Sequence, residues 1–230
     1  MNRIAALLAG AAFSAAATSA IAADAVYDFA PVYDWTGAYL GAQVGYGWGN
    51  GGVQYHGGAD PFSDISPDGF LAGIYAGYNH QFSSRWVLGV DADITWHNAD
   101  DWAYRQVPGS PPFNDPDYMD GQDIKWSAAL RGKVGYAVDR WLPYVAGGVS
   151  VAKVNLGNID GGIYTDFGDA TFTGWNLGVG VDYAWSDNLL LRAEYRYTDF
   201  GNKNVEHPSF FPSTWHLETS EVRFGIAYKF

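Results

Sequence analysis

Arg192, Glu194 and Arg196 stand two residues apart along one extended segment. Side chains at that spacing project from the same face of a β-strand. A base, an acid and a base in a row are better read as a salt-bridge ladder than as a catalytic set. Similar rows recur along the chain: Asp91 with Asp93, Lys125, then Arg131 with Lys133, Asp182, and Glu221 with Arg223 and Lys229. Gathered away from water, such groups must satisfy one another.

Other reactive types are scattered. Gly148-Val149-Ser150-Val151-Ala152 comes nearest to a nucleophile elbow. It lacks the final glycine and lies inside a strand pattern, not at a strand-to-helix turn. His97 is expected to face inward near Asp93 and to serve as a structural hydrogen-bonding group. His56, His207 and His216 fall in or near loops and are the remaining haem-ligand candidates, with no binding motif around them. Asp115, Asp117, Asp120 and Asp123 form the densest acidic group, and their spacing is not that of an EF-hand. There is no cysteine, hence no disulfide and no thiolate metal site. The residues therefore predict no enzyme, no cofactor and no metal centre. A formal net charge of -12 argues against a nucleic-acid partner.

The elements that must position these rows begin after an export signal. Arg3, the apolar run from Ile4 to Ala17 and the small-x-small triplet Ala20-Ile21-Ala22 read as a signal peptide over 1–22. A leader over 23–34 follows, and a barrel over 35–230. Aromatics are 17% and Gly 29 of 230, yet mean hydropathy is slightly negative. No mature segment has the unbroken apolar run that a spanning helix needs. The apolar residues are spread by alternation instead.

Eight segments alternate with period 2. The sharpest sets Trp86, Leu88, Val90, Ala92, Ile94 and Trp96 against Gly89, Asp91, Asp93, Thr95 and His97. Another sets Ile124, Trp126, Ala128, Leu130 and Val134 against Lys125, Ser127, Arg131 and Lys133. The last sets Val222, Phe224, Ile226, Tyr228 and Phe230 against Arg223, Gly225 and Lys229. A soluble sandwich would turn such charged faces to water. Here they are expected to meet inside a narrow tube, with the apolar faces in lipid. The fold is predicted to be an all-β, eight-stranded, antiparallel up-and-down transmembrane β-barrel. Ser83-Ser84-Arg85, Asp139-Arg140 and Ser186-Asp187-Asn188 are short turns. The stretches near 49–68, 99–123, 155–170 and 199–216 are read as long loops. That asymmetry puts both termini in the periplasm. Gly41, Gly45, Gly73, Gly77, Gly178, Gly180 and Gly225 fall on inward rows, where they could leave water-filled gaps.

Several segments carry a family resemblance: Trp35-Thr36-Gly37-Ala38-Tyr39-Leu40-Gly41, Gly73-Ile74-Tyr75-Ala76-Gly77-Tyr78-Asn79, Pro143-Tyr144-Val145-Ala146-Gly147-Gly148 and the terminal Phe224-Gly225-Ile226-Ala227-Tyr228-Lys229-Phe230. The chain resembles the 25/31-kilodalton surface proteins of alpha-proteobacteria, relatives in fold of the OmpA transmembrane domain. The resemblance implies that Tyr228 and Phe230 are the signal read by the barrel-assembly machinery. It also implies that an N-terminal amine at Ala23 is a candidate attachment point for peptidoglycan. Extended, Ala23 to Asp34 would reach about 40 Å. The expected role is a structural outer-membrane protein among outer-membrane lipid and lipopolysaccharide, displaying acidic loops. A narrow, low-conductance porin is the alternative.

Overall fold

The computed structural model describes residues 33–57, 61–109, 115–205 and 212–230. The segment read as a signal peptide and most of that read as a leader, Ala23 included, lie outside those residues. Among the described residues nine strands follow in chain order: β1 (Gly37–Tyr55), β2 (Phe62–Ile65), β3 (Asp68–Gln81), β4 (Trp86–Tyr104), β5 (Tyr118–Tyr136), β6 (Trp141–Asp160), β7 (Ile163–Ala184), β8 (Leu189–Val205) and β9 (Ser213–Lys229). Sequential neighbours from β3 to β9 pair antiparallel. β1 pairs with β3 on one side and β9 on the other, from Tyr39↔Lys229 to Tyr55↔Ser213. The ring therefore closes with eight strands.

The ninth strand is an offshoot of the eight. β2 pairs with the far end of β1, in line with β3, and Ser66-Pro67 separates the two. Proline has no N–H to give to a ladder. Its carbonyl still accepts from the Gly49 amide at 2.6 Å, so one backbone bond crosses the break.

At the base, where β1 begins and β9 ends, the hairpins are tight. The β5–β6 turn is Asp139-Arg140, with Asp139 in the left-handed region at φ 51. Val138 and Trp141 bond to each other across it, at 2.8 and 2.9 Å.

The outer surface carries an apolar band edged by aromatics. Near the base lie Tyr78, Trp86, Tyr136, Trp141, Trp185, Tyr228 and Phe230; farther up lie Tyr46, Phe70, Trp96 and Trp175. Leu40, Val44, Ile74, Leu88, Val90, Leu130, Val149, Leu177, Val179, Phe224 and Ile226 fill the zone between, exposed although apolar. Exposed apolar area of this extent marks contact with something other than water. Trp86 and Trp96 are ten residues apart on β4. At about 3.3 Å per residue and a tilt near 40°, that gives a band roughly 25 Å tall, the height expected of a membrane barrel.

The strands run 17 to 22 residues in all but β2 and β3, about twice what a crossing needs. This corrects the long loops expected at 49–68, 99–123, 155–170 and 199–216, into each of which the strands extend from both sides. The stretch 155–170 shrinks to a two-residue turn, Gly161-Gly162, both with positive φ. The physical reason is an inversion of polarity. Above the upper aromatics a set of apolar side chains points inward: Val53, Tyr55, Ile65, Ile124, Val154, Leu156, Phe172, Phe200, Trp215 and Leu217 form one buried cluster. The polar residues between them, such as Asn50, Thr171 and Glu218, face outward. Below, the lumen is charged and the outside greasy; above, the arrangement is that of a water-soluble barrel.

Candidate functional site: an ionic chain across the lumen

Between the base and the apolar cluster, ten charged side chains form one continuous alternating chain. It begins at Lys133, which reaches Asp182 at 3.1 Å. Asp182 also holds Arg192 at 2.8 Å, and Arg192 reaches Asp91 at 3.2 Å. Asp91 accepts from Arg131 at 3.0 Å, and Arg131 donates onward to Glu194 at 2.8 Å. Glu194 meets Arg196 at 3.1 Å, and Arg196 meets Asp93 at 2.9 Å. Asp93 contacts Arg223 at 3.3 Å, and Arg223 ends on Glu221 at 2.6 Å. Five acids thus alternate with five bases, and the segment is neutral as a whole. All ten are buried.

Strand geometry explains who meets whom. The acids and bases come from β4, β5, β7, β8 and β9, each at an inward parity. The links Arg192–Asp91, Arg131–Glu194, Arg196–Asp93 and Arg223–Asp93 join strands that do not pair as neighbours. Backbone ladders hold adjacent strands; this chain ties facing walls. Hydroxyls complete it. Tyr144 donates to Glu194 at 2.7 Å, Lys133 donates to the Tyr39 hydroxyl at 3.2 Å, and Arg223 donates to Thr95 at 3.1 Å. Arg192 lies over the Tyr75 ring at 4.5 Å, and Lys133 over Tyr39 and Tyr144 at 4.9 Å each.

Those three tyrosines also correct the expected gaps at inward glycines. A Cβ on Gly77 would stand 2.4 Å from the Tyr39 hydroxyl. One on Gly180 would stand 2.6 Å from the Tyr144 ring, and one on Gly41 2.8 Å from the Tyr75 ring. These glycines make room for rings that cross the bore. The space is filled with side chain.

Both ends of the ionic layer are covered. Below it Tyr33, Trp35, Val87, Leu142 and Leu190 pack under Tyr39 and Tyr75. Above it sits the apolar cluster, topped by a second polar knot. There Asp120 accepts from Tyr55 at 2.6 Å, Ser63 at 2.5 Å and Arg105 at 2.9 Å. Burial first, then the Asp120 carboxylate, push the Tyr55 hydroxyl well above its ordinary value, so it remains a donor.

Of the residues singled out in sequence, Asp91, Asp93, Arg131, Lys133, Asp182, Arg192, Glu194, Arg196 and Arg223 come together in the chain. Lys125 does not. It points outward and bonds Asp123. The cause is a β-bulge: pairing with β6 passes from Trp126↔Lys153 to Ile124↔Val154 with Lys125 left over. Below the bulge Ser127, Arg131 and Lys133 face inward; above it Ile124, Gln122 and Asp120 do. Lys229 caps the base, its ammonium over the Tyr33 ring at 4.7 Å. Glu221, an inward acid by parity, is the chain's last member. The acidic group of 115–123 is divided by the same alternation, Asp120 inward and Asp123 outward.

His97 faces the lumen, 2.8 Å from the Ser127 hydroxyl and 4.0 Å from Glu221. A hydroxyl, an imidazole and a carboxylate are in reach of one another, but all three lie between the ionic layer and the apolar cluster. His97 thus stands beside Glu221, where the ionic chain ends. Ser150 accepts from Asn176 at 2.8 Å inside the same wall. His56 bonds Thr214 at 2.7 Å, and His207 lies outside the described residues. Among the described residues no three His, Asp or Glu side chains are grouped to hold a metal ion.

Comparison with known proteins gives consistent matches. The family model described as outer membrane protein beta-barrel domain matches residues 4–230. The "31 kDa outer-membrane immunogenic protein" of Brucella melitensis is 33% identical over 246 residues, covering 93% of this chain and 95% of the relative. The "25 kDa outer-membrane immunogenic protein" of Brucella abortus is 32% identical over 223 residues, covering 92% and 91%. Among solved structures, the outer membrane protein OprG of Pseudomonas aeruginosa superposes with a TM-score of 0.51 at 11% identity, covering 86% of this chain and 97% of that one. At that identity the likeness concerns the fold.

Removing one link should be costly. Glu194→Leu leaves Arg131 and Arg196 each with one anionic partner in a water-poor layer. We expect a loss of about 3–5 kcal/mol in unfolding from lipid vesicles by urea. Glu194→Gln, which keeps hydrogen bonding, should lose less. Unchanged resistance in Glu194→Leu would contradict the chain.

Proposed function

The chain belongs to the outer membrane protein β-barrel family, and from that premise we propose that it is a sealed structural barrel that supports the envelope and displays a rigid surface. It resides in the outer membrane of a Gram-negative bacterium, among that membrane's lipids. The observation that carries the reading is the filled lumen. An ionic layer between two apolar packings supports a plug rather than a path, and the narrow-porin alternative loses the glycine gaps on which it rested. A non-enzymatic role is supported by the same closure, which keeps substrate from Ser127 and His97.

In this reading the base faces the periplasm, where the hairpins are tightest. The rim stands outside, extended by the long strands. A stiff, acidic projection of this kind suits display at the cell surface, in keeping with relatives whose names record immunogenicity. Tyr228 and Phe230 project outward at the end of β9 with their rings 5.2 Å apart. Their exposure leaves them open to the barrel-assembly machinery. An amine at Ala23 would be placed to join peptidoglycan.

Two measurements test these points. The folded protein, verified by its altered gel mobility without boiling, should be silent in planar lipid bilayers; steady unitary current steps would overturn the sealed reading. In muramidase-digested envelopes, mass spectrometry should find a peptide beginning at Ala23 with a stem-peptide amide on its nitrogen. A wholly free amine would remove the tether.

A further inference from the structure

The outer face of the barrel is not uniform. On β3 the outward row is Asp68, Phe70, Ala72, Ile74, Ala76 and Tyr78. Ala72 lies between Val44 on β1 and Trp96 on β4, and Ala76 between Leu40 and Ala92. The small Ala72 leaves a furrow on β3, a hollow of about 660 Å³ beside Val44, Phe70, Trp96 and Phe224. A separate hollow of about 290 Å³ lies lower, beside Leu40, Ala76 and Ala92, with the Ile74↔Ile94 pair between the two. The furrow lies in the apolar band and is walled by hydrocarbon, so an alkyl chain is the group that fits.

What stands above the furrow is charged with one sign. Asp68 and Asp100 are direct cross-strand partners one step above Phe70 and Asn98. The Tyr46 hydroxyl, itself at the furrow's wall, bonds the Asp68 carboxylate and holds it over the opening. Glu218 adds a third acid on β9. From the upper aromatics outward, the outer faces of β1, β3, β4 and β9 carry no lysine or arginine among the described residues. A second furrow provides an internal contrast. It encloses about 610 Å³ beside Ala128, Leu130, Val149, Val151 and Thr173. Lys125 and Lys153 stand above it, paired with Asp123 and Asp169. There the charge is mixed.

We propose that the β3 furrow is a binding site for a cationic amphiphile, its alkyl chain over Ala72 and its ammonium head between Asp68 and Asp100. An anionic head would meet two like charges at the same place. The site requires that the apolar band face lipid, and it is independent of whether the lumen conducts.

The test uses the folded protein in a neutral detergent, titrated separately with hexadecyltrimethylammonium and hexadecyl sulfate and read by native mass spectrometry. Wild type should retain the cationic probe about tenfold more tightly, the scale of a solvent-facing charge pair. Asp68→Asn with Asp100→Asn should erase the preference. Ala72→Trp should fill the furrow and weaken both probes, while Val149→Trp, in the second furrow, should leave the preference intact. Unboiled gel mobility confirms that each variant is folded. Equal retention of the two probes by wild type would overturn the proposal, as would a preference that survives the double substitution. A dimer lost on Ala72→Trp would instead assign the furrow to a second copy of the chain.

Discussion

Charge inside a tube surrounded by hydrocarbon has little water to turn to. Each buried ion then costs several kcal/mol unless an opposite charge and hydrogen bonds are in place. The ten-member chain from Lys133 to Glu221 meets that demand by alternation. Every interior member touches two opposite charges, and the sum is zero. Because several of its links run between facing walls, the chain does what the backbone ladders cannot. Remove the pairing, and the inward rows of β4, β5, β8 and β9 would repel or strand one another. The outward rows would then lose their reason to face lipid.

The rest of the molecule follows from where that layer stops. In the membrane zone the outside must be apolar and the inside carries the charge. Above the upper aromatics water returns, and the requirement reverses. β1 passes from Gln43 inward and Val44 outward to Val53 inward and Gln54 outward without changing parity. The residue types switch along each row. β5 changes parity instead, at the Lys125 bulge, and so turns Ile124 to the interior while sending a lysine out. Both routes give the same result: one continuous tube with a charged middle, an apolar cluster above it and an aromatic base. The closure at three levels is what favours a structural role over a channel.

Much of this was legible in the sequence, because period-2 alternation reports which residues share a face. Nine of the ten predicted lumen charges lie in the chain, and the tight turns fall at their expected places. Lys125 was not legible: one bulged residue reverses every later side chain, and nothing in Asp123-Ile124-Lys125-Trp126 announces it. The extended upper strands were missed for a different reason. Trp215-His216-Leu217-Glu218 and Val53-Gln54-Tyr55 do alternate, but with the apolar set inside, opposite to the membrane rule. Their glycine, aspartate and asparagine neighbours then looked like loop. The glycine gaps failed because a deletion on one strand is visible in sequence, while the tyrosine that fills it comes from another.

The outer surface completes the picture. An aromatic-edged band, an alanine furrow and an acidic shelf above it are properties of the lipid-facing rows. They have meaning only if those rows face lipid. The most direct measurement is therefore a footprint taken from within the bilayer. The folded protein would be placed in vesicles containing a lipid with a diazirine in its acyl chain, irradiated and mapped by peptide mass spectrometry. The account predicts carbene insertion at Leu130, Leu191 and Phe224 and none at Arg131, Arg192 and Arg223. Insertion at the arginines with the apolar neighbours spared would contradict it.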